Sequence, residues 1–334
     1  MRAVRIHEYG GPEVLRIEDV PEPSPGPHDV LVRVCATSVN PVDCKIRSGG
    51  QRAVIFYELP WILGLDVSGV VEAVGARVTR FRAGDEVWSS PTHRRPGTYA
   101  DKLCIDERQV ALKPKSLTHD EAASMPLVGL TAYQCLVEKG KLGKGQRVLI
   151  HAGAGGVGSF AIQLAKSIGA HVITTCSARN EALVRELGAD EVIDYTKERF
   201  EDVVSDVDLV LDSVGEEAMK ANVEVTRRGG RISNITLDLP AYVARYGPAL
   251  GLVVIGGRFA WMHAAPFLEK EIVLRHVLKR CDGEQLAEIA RLVDQGAIRP
   301  TIDSVLPLDA IQEAHRHSET HRARGKIVLH VADG

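Results

Sequence analysis

Along the first 115 residues or so, short apolar and β-branched runs are set between turn formers. LRIEDV (15–20) leads into the proline-rich turn PEPSPGP (21–27), and VLVRVCATSV (30–39), VSGVVEAVG (67–75) and GDEVW (84–88) follow. Runs of this length at this spacing predict a β-rich barrel or sandwich. Near Asp120 the texture changes. Thr118 and Glu121 have the spacing of a capping box, and a helix-like apolar stretch comes next. From Arg147 strands and helices alternate. VLIHA (148–152) precedes a helix in FAIQLAKSIG (160–169) that stops at Gly169. HVITTC (171–176) precedes a helix in NEALVRELG (180–188) that stops at Gly188. EVIDY (191–195), VDLVLDSVG (207–215) and GGRISNI (229–235) continue the strands. This alternation predicts an α/β unit, a doubly wound parallel sheet with helices on both faces. An amphipathic helix, DGEQLAEIARLVDQG (282–296), and a last strand, RGKIVLHV (324–331), form a tail too short for its own core. The tail is expected to return to the N-terminal unit. The expected division is therefore residues 1–122 with 264–334, and residues 123–263 between them.

Composition narrows the class. The 334 residues are 45% hydrophobic and 25% charged, as in ordinary globular proteins of about two domains. Lys plus Arg is 41 against 44 Asp plus Glu, with no long basic run, which argues against a nucleic-acid partner. No apolar run is long enough to span a bilayer, and the N-terminus MRAVRIHEYGG lacks a signal-like apolar core. The six cysteines are scattered without a C-x-x-C, so neither a zinc ribbon nor a dithiol pair is expected. A reduced, cytoplasmic protein is the default expectation.

The strongest chemical signal is G-x-G-x-x-G at Gly153, Gly155 and Gly158. It follows a strand, opens a helix and lies in a βαβ unit, the context in which such glycines let the backbone approach a pyrophosphate. NAD-binding proteins usually carry a carboxylate about 20 residues further on. Here the run is Cys176-Ser177-Ala178-Arg179-Asn180. A hydroxyl and a guanidinium suit a 2′-phosphate, since Arg gives it charge-assisted bonds. NADPH is the expected cofactor. The competing reading of Arg179 is a solvated surface charge.

Taken together, GGPEVL (10–15), SVNPVDCKIRSG (38–49), GLDVSGVVEAVG (64–75), GTYAD (97–101), PLVGLTAYQCL (126–136), AGAGGVG (152–158), LGADEVIDY (187–195), DSVG (212–215) and ARGKIVL (323–329) identify a family. The chain resembles the zinc-independent quinone oxidoreductases and enone reductases, the zeta-crystallin-like branch of the medium-chain dehydrogenases. The resemblance implies a GroES-like catalytic domain built from both chain ends, a Rossmann domain between them, an active site in the interdomain cleft and a homodimer. By position, Asn40, Asp43 and Lys45 would line the nicotinamide and substrate end, with Thr131 near the nicotinamide. Gly153, Gly155, Gly156 and Val157 would hold the pyrophosphate. Ser177, Arg179 and Tyr195 would surround the adenosine ribose phosphate. Val214 and Lys326 would approach the cofactor, and the 251–259 segment GLVVIGGRF would pass by the nicotinamide. The zinc-dependent relatives have Cys in place of Asn40 and His-Glu in place of Leu65-Asp66, and a four-cysteine lobe where this chain reads WSSPTHRRP. No metal is therefore expected. Some quinone reductases place a tyrosine shortly after the RSG run, where this chain has Gln51; Tyr57 is the nearest tyrosine.

Each candidate has a plainer reading. Asn40 and Asp43 also suit an Asx-type turn bonding local backbone. Lys45 also suits a solvated lysine. Cys44 stands beside Lys45, whose ammonium would lower a thiol pKa, yet an inert buried thiol is the stronger expectation. His315, His317 and His321 are read as a polar surface helix. The functional expectation is NADPH-dependent reduction of quinones or α,β-unsaturated carbonyl compounds. The competing reading is an NADPH-binding protein with little turnover, and a zinc alcohol dehydrogenase is disfavoured.

Overall fold

The computed structural model describes residues 1–52, 56–236 and 268–334, with isolated positions from 254 to 264. The expected 251–259 segment lies largely outside the described residues. The chain forms two compact units, Met1–Leu130 with Arg280–Gly334, and Thr131–Lys279.

The first unit opens with β1 (Arg2–Ile6), β2 (Arg16–Asp19), β3 (Asp29–Val39), β4 (Trp61–Ile62), β5 (Val67–Val74), β6 (Glu86–Ser89), β7 (Lys102–Asp106) and β8 (Val110–Leu112). The long strand β3 organises it. β5 runs antiparallel along β3, and β7 pairs with its first half, Asp29–Arg33. Alternate residues Val30, Val32 and Val34 meet Val67, Val71 and Ile105 in one core, as the two-residue strand period requires. After β3 the chain turns into the helix Pro41–Arg47. Asn40 is extended (φ −120°, ψ 150°), and Pro41 takes the first helical position, where its fixed φ and missing N–H cost nothing. The capping box at Thr118 forms as expected: Thr118 N donates to Glu121 Oε2 at 2.9 Å and Glu121 N to Thr118 Oγ1 at 3.3 Å.

The second unit contains β9 (Arg147–Ile150), β10 (His171–Cys176), β11 (Glu191–Asp194), β12 (Val207–Asp212), β13 (Thr226–Asn234) and β14 (Val273–His276). All pair in parallel in the order β11-β10-β9-β12-β13-β14. The order reverses between β9 and β12, the switch point at which doubly wound sheets bind ligands. Gly169 (φ 87°) and Gly188 (φ 107°) end the first two crossover segments in the left-handed region that favours glycine. β14 lies beyond residue 263, so this unit extends further than the sequence-based limit. At its other end the helix Pro126–Tyr133 straddles the junction, moving it from 122 to 130.

The tail contributes β15 (Ile302–Pro307) and β16 (Lys326–His330). β16 runs antiparallel to the second half of β3, with Ile327 opposite Val39, and β15 is parallel to β16. The helix Ile311–Glu319 buries Ile311, Ala314, His315 and Ser318 on one face. The histidine run is therefore not wholly a surface feature: His315 is fully buried at a core position of the helical period, while His317 bonds Asp303 at 2.6 Å. Among the described residues no helix is long and apolar enough to cross a membrane.

Candidate functional site

The candidate residues fall into two clusters, one in each unit. In the first, strand pairing brings three chain-distant segments to one end of the sheet. Asn40 follows β3, Asp66 precedes β5 and Lys326 opens β16. All three are buried. Asp66 is the hub. Its Oδ2 accepts from Ser38 Oγ (2.8 Å), Asn40 Nδ2 (2.9 Å) and Lys326 Nζ (3.0 Å), and its Oδ1 accepts from Leu127 N at 2.7 Å. Lys326 Nζ also donates to Asn40 Oδ1. Asp43 Oδ2 accepts from Asn40 N at 2.9 Å and from Asn40 Nδ2 at 3.3 Å.

This geometry assigns different roles to the predicted residues. The local turn reading holds for Asp43, which caps the helix from its third position. Asn40 goes further: its amide group donates to Asp66 and Asp43, and its carbonyl accepts from Lys326. It is placed to fix its neighbours rather than to donate to a ligand. Lys45 is exposed and not part of the network. Asp43 is fully buried, and its Oδ1 has no hydrogen-bond partner. Burial pushes its carboxyl up to about 7; Asp66 adds to the rise, while the Asn40 amide and Lys326 oppose it. Burial, then the Asp43 charge, holds the Tyr99 phenol well above its ordinary range. Tyr57 is buried too, stacked on Trp61 at 4.7 Å between ring centroids, and burial raises its pKa.

Cys44 faces inward, with Sγ 3.4 Å from His315 Nδ1. Burial pushes its thiol up to about 12, so the ammonium of Lys45 does not activate it. Burial, with Arg47 nearby, pushes His315 down to about 3. Arg47 Nη1 donates to its Nδ1 at 3.3 Å.

Asp66 entered the sequence reading only as a replacement at a zinc-ligand position. The signal for its larger role is the run GLDVSGVV (64–71), where one carboxylate sits in an apolar strand entry. A carboxylate at such a place is buried, and a buried carboxylate needs a cation.

The second cluster surrounds the switch point. Gly155 ends the turn after β9, and the helix Gly156–Ile168 starts there without a side-chain cap. The first N–H groups of a helix have no intrahelical acceptor, and here they face the loop end. The glycines have separable reasons. A Cβ at Gly153 would lie 2.1 Å from Thr174 Oγ1, and at Gly158 2.3 Å from the Ala152 carbonyl. At Gly155 the nearest atom would be 3.4 Å away, so the protein itself does not demand glycine there. A pyrophosphate lying against the backbone would, and the residues present fit one. Ser177 and Arg179 follow β10, and Tyr195 follows β11 on the adjacent strand, with Arg179 and Tyr195 exposed. Val214 follows β12 in a turn pinned by Asp212 Oδ1, which accepts from Val214 N (2.9 Å) and Gly215 N (3.0 Å). Thr131 is buried in the helix Pro126–Tyr133. Lys326, expected beside the cofactor, sits in the first cluster.

Residues 26–115 match the alcohol dehydrogenase GroES-like domain, and residues 187–329 match the zinc-binding dehydrogenase family. The chain is 38% identical to the mouse (Mus musculus) NAD(P)H oxidoreductase RTN4IP1, mitochondrial, over 99% of this chain and 89% of that one. It is 36% identical to the 2-methylene-furan-3-one reductase of Solanum lycopersicum, over 99% and 79%. The quinone oxidoreductase structure from Coxiella burnetii superposes with a TM-score of 0.84 at 32% identity, covering 99% of each chain. With this fold, these domains and these relatives, the chain belongs to the quinone oxidoreductase and enone reductase branch of the medium-chain dehydrogenase/reductase superfamily.

Proposed function

We propose that the protein is an NADPH-dependent, zinc-independent reductase of quinones or α,β-unsaturated carbonyl compounds. One observation carries the metal-free part of this reading: Lys326 Nζ, buried, lies 3.0 Å from Asp66 Oδ2. The cation that balances Asp66 is thus a side chain, at the position where zinc-dependent relatives have a ligand. A divalent ion there would have to displace an ammonium or repel it at short range.

Gly153, Gly155, Gly156 and Val157 would hold the pyrophosphate of the cofactor, with Ser177, Arg179 and Tyr195 at the ribose 2′-phosphate and Thr131 and Val214 toward the nicotinamide. When bound, the cofactor supplies the hydride. The chain's own residues orient the reactants and hold protons. Burial raises the Asp43 carboxyl and so favours its protonated form. A quinone or enone asks little more of the protein, because its acceptor carbon is already electron-poor. An alcohol substrate would need a base or metal to take its hydroxyl proton.

A homodimer is part of this proposal. Among the described residues β14 ends the sheet, and such an edge is a natural place for a second copy. None of the six cysteines is in a disulfide, which supports a reducing compartment, with the cytoplasm as the proposed one.

The test is a panel of quinones, enones and alcohols with each nicotinamide cofactor, with and without a chelator. Reduction of quinones or enones by NADPH, indifferent to chelator, is expected. Efficient, chelator-sensitive alcohol oxidation would overturn the proposal. Tight NADPH binding with no turnover of any acceptor would favour a binding role instead.

A further inference from the structure

His151 directly follows β9, immediately before the glycine loop, and is buried, yet every polar atom of its ring and its carbonyl is engaged. Its Nε2 is 2.8 Å from Asn222 Oδ1, and its Nδ1 is 3.2 Å from Thr175 Oγ1. Its carbonyl accepts from Ser213 Oγ at 3.1 Å. Thr175 Oγ1 in turn accepts from Ala152 N at 3.2 Å, and the Thr175 carbonyl accepts from Gly153 N at 3.0 Å.

The polarity of this chain is fixed by chemistry. A carbonyl oxygen only accepts, so the bond to Asn222 places the imidazole hydrogen on Nε2. Nδ1 is then a bare acceptor, and the Thr175 hydroxyl must donate to it. That turns an oxygen lone pair toward the Ala152 N–H. Ala152 has φ 52°, a left-handed conformation uncommon for a residue with a side chain. The Ala152 carbonyl, on the same residue, accepts from Gly155 N at 3.0 Å, which closes the turn that starts the helix Gly156–Ile168. Burial disfavours protonation of His151, which keeps the neutral tautomer this chain needs.

The partners lie on both sides of β9. Thr175 is on β10, just ahead of Ser177. Ser213 lies in the turn that carries Val214, and Asn222 in the helix Glu216–Val225 that follows it. We propose that His151 is a positioning residue for the dinucleotide: through Thr175 it fixes the left-handed Ala152 turn, and through Ser213 and Asn222 it ties that turn to the other side of the switch point. This rests on the reading that Gly153–Gly158 binds a nicotinamide dinucleotide.

Thr175→Val and Thr175→Ser separate the hydroxyl from side-chain volume, and His151→Phe keeps a ring against Phe200, whose ring centroid is 4.7 Å away. The NADPH dissociation constant is read by titrating nucleotide fluorescence, without turnover. Thr175→Val and His151→Phe should weaken NADPH by about five- to twentyfold, the range for one or two lost neutral hydrogen bonds, and Thr175→Ser should stay within about twofold. In steady state the loss should appear in the KM for NADPH, with kcat at saturation within about twofold. Equal affinities for the Val and Ser variants would overturn the proposal, as would a loss confined to kcat. Circular dichroism of each variant, matched to the parent, excludes loss of folding as the cause. A parent protein that binds neither NADPH nor NADH would instead overturn the functional reading itself.

Discussion

Asp66→Asn keeps the shape of the network's hub and removes its charge. The parent carboxylate is completely buried and accepts four hydrogen bonds, from Leu127 N, Ser38 Oγ, Asn40 Nδ2 and Lys326 Nζ. An amide has one oxygen for these donors, and its own N–H₂ group would face at least one of them. Lys326 would keep only the Asn40 carbonyl. Removing one partner of a buried ion pair costs about 3–5 kcal/mol, because the other charge stays behind. At about 2–4 °C per kcal/mol for a domain of this size, the Tm should fall by roughly 6–20 °C.

The converse variant should be milder. Lys326→Met leaves Asp66 with three donors at 2.7–2.9 Å, including a backbone N–H, so the anion remains hydrogen-bonded. A loss of about 1.5–3 kcal/mol is expected, the range for one hydrogen bond to a charged group. Adding Lys326→Met to Asp66→Asn removes the stranded cation and should recover part of the first loss, a non-additivity of the kind neighbouring residues show. The assay is urea unfolding followed by tryptophan emission, for which Trp88, fully buried on β6 of the same unit, is a local reporter. If Asp66→Asn lies within about 1 kcal/mol of the parent, the buried-pair cost assigned here is wrong. Equal losses for the two single variants would refute the asymmetry.

Gly155→Ala should fold normally and weaken NADPH, because its Cβ meets only the Ala152 carbonyl at 3.4 Å; Gly158→Ala, at 2.3 Å from the same atom, should lower stability even without cofactor, which differential scanning calorimetry reads. Arg179→Ala should weaken NADPH by about tenfold to a hundredfold, the equivalent of one charge-assisted bond, and leave NADH nearly unchanged in the same titration. For Asp43 the folded pKa lies above the ordinary carboxyl value, so its stabilising contribution is complete below about pH 4 and is lost as pH rises toward and through about 7. Asp43→Asn mimics the neutral acid, so its stability relative to the parent should improve as pH is raised from 4 to 8 in parallel denaturation series; a constant difference across that range would contradict the raised pKa.

Local patterns in the sequence were enough for most of the elements. Thr118 with Glu121, Gly169, Gly188 and the glycine loop each act over a few residues, so their spacing specifies geometry directly. The grouping of the second cluster was legible for the same reason: its residues follow neighbouring parallel strands, and a strand–helix alternation places those strand ends on one edge. His315 was misread because its neighbours Arg316 and His317 are polar, while the period that buries it, through Ile311, Ala314 and Ser318, is carried by only two apolar residues.

The first cluster depends on long-range register, which composition and spacing do not encode. Thr37 opposite Val67 on β5 and Val39 opposite Ile327 on β16 bring residues 40, 66 and 326 to one end of the sheet. Charge then explains their identities. One ammonium balances one carboxylate, and Asn40 presents its carbonyl to the first and its amide to the second. Asp43, next to them, would add a second negative charge with nothing left to neutralise it. Burial, and after it the Asp66 charge, raises its carboxyl and favours the protonated form. An asparagine thus occupies the one place where both a donor and an acceptor are required between opposite charges. Cysteine, which zinc-dependent relatives carry there, could make neither bond well. On the proposed zinc-free reading, Asn40 and Lys326 act together, supplying with side chains the charge balance that Asp66 requires.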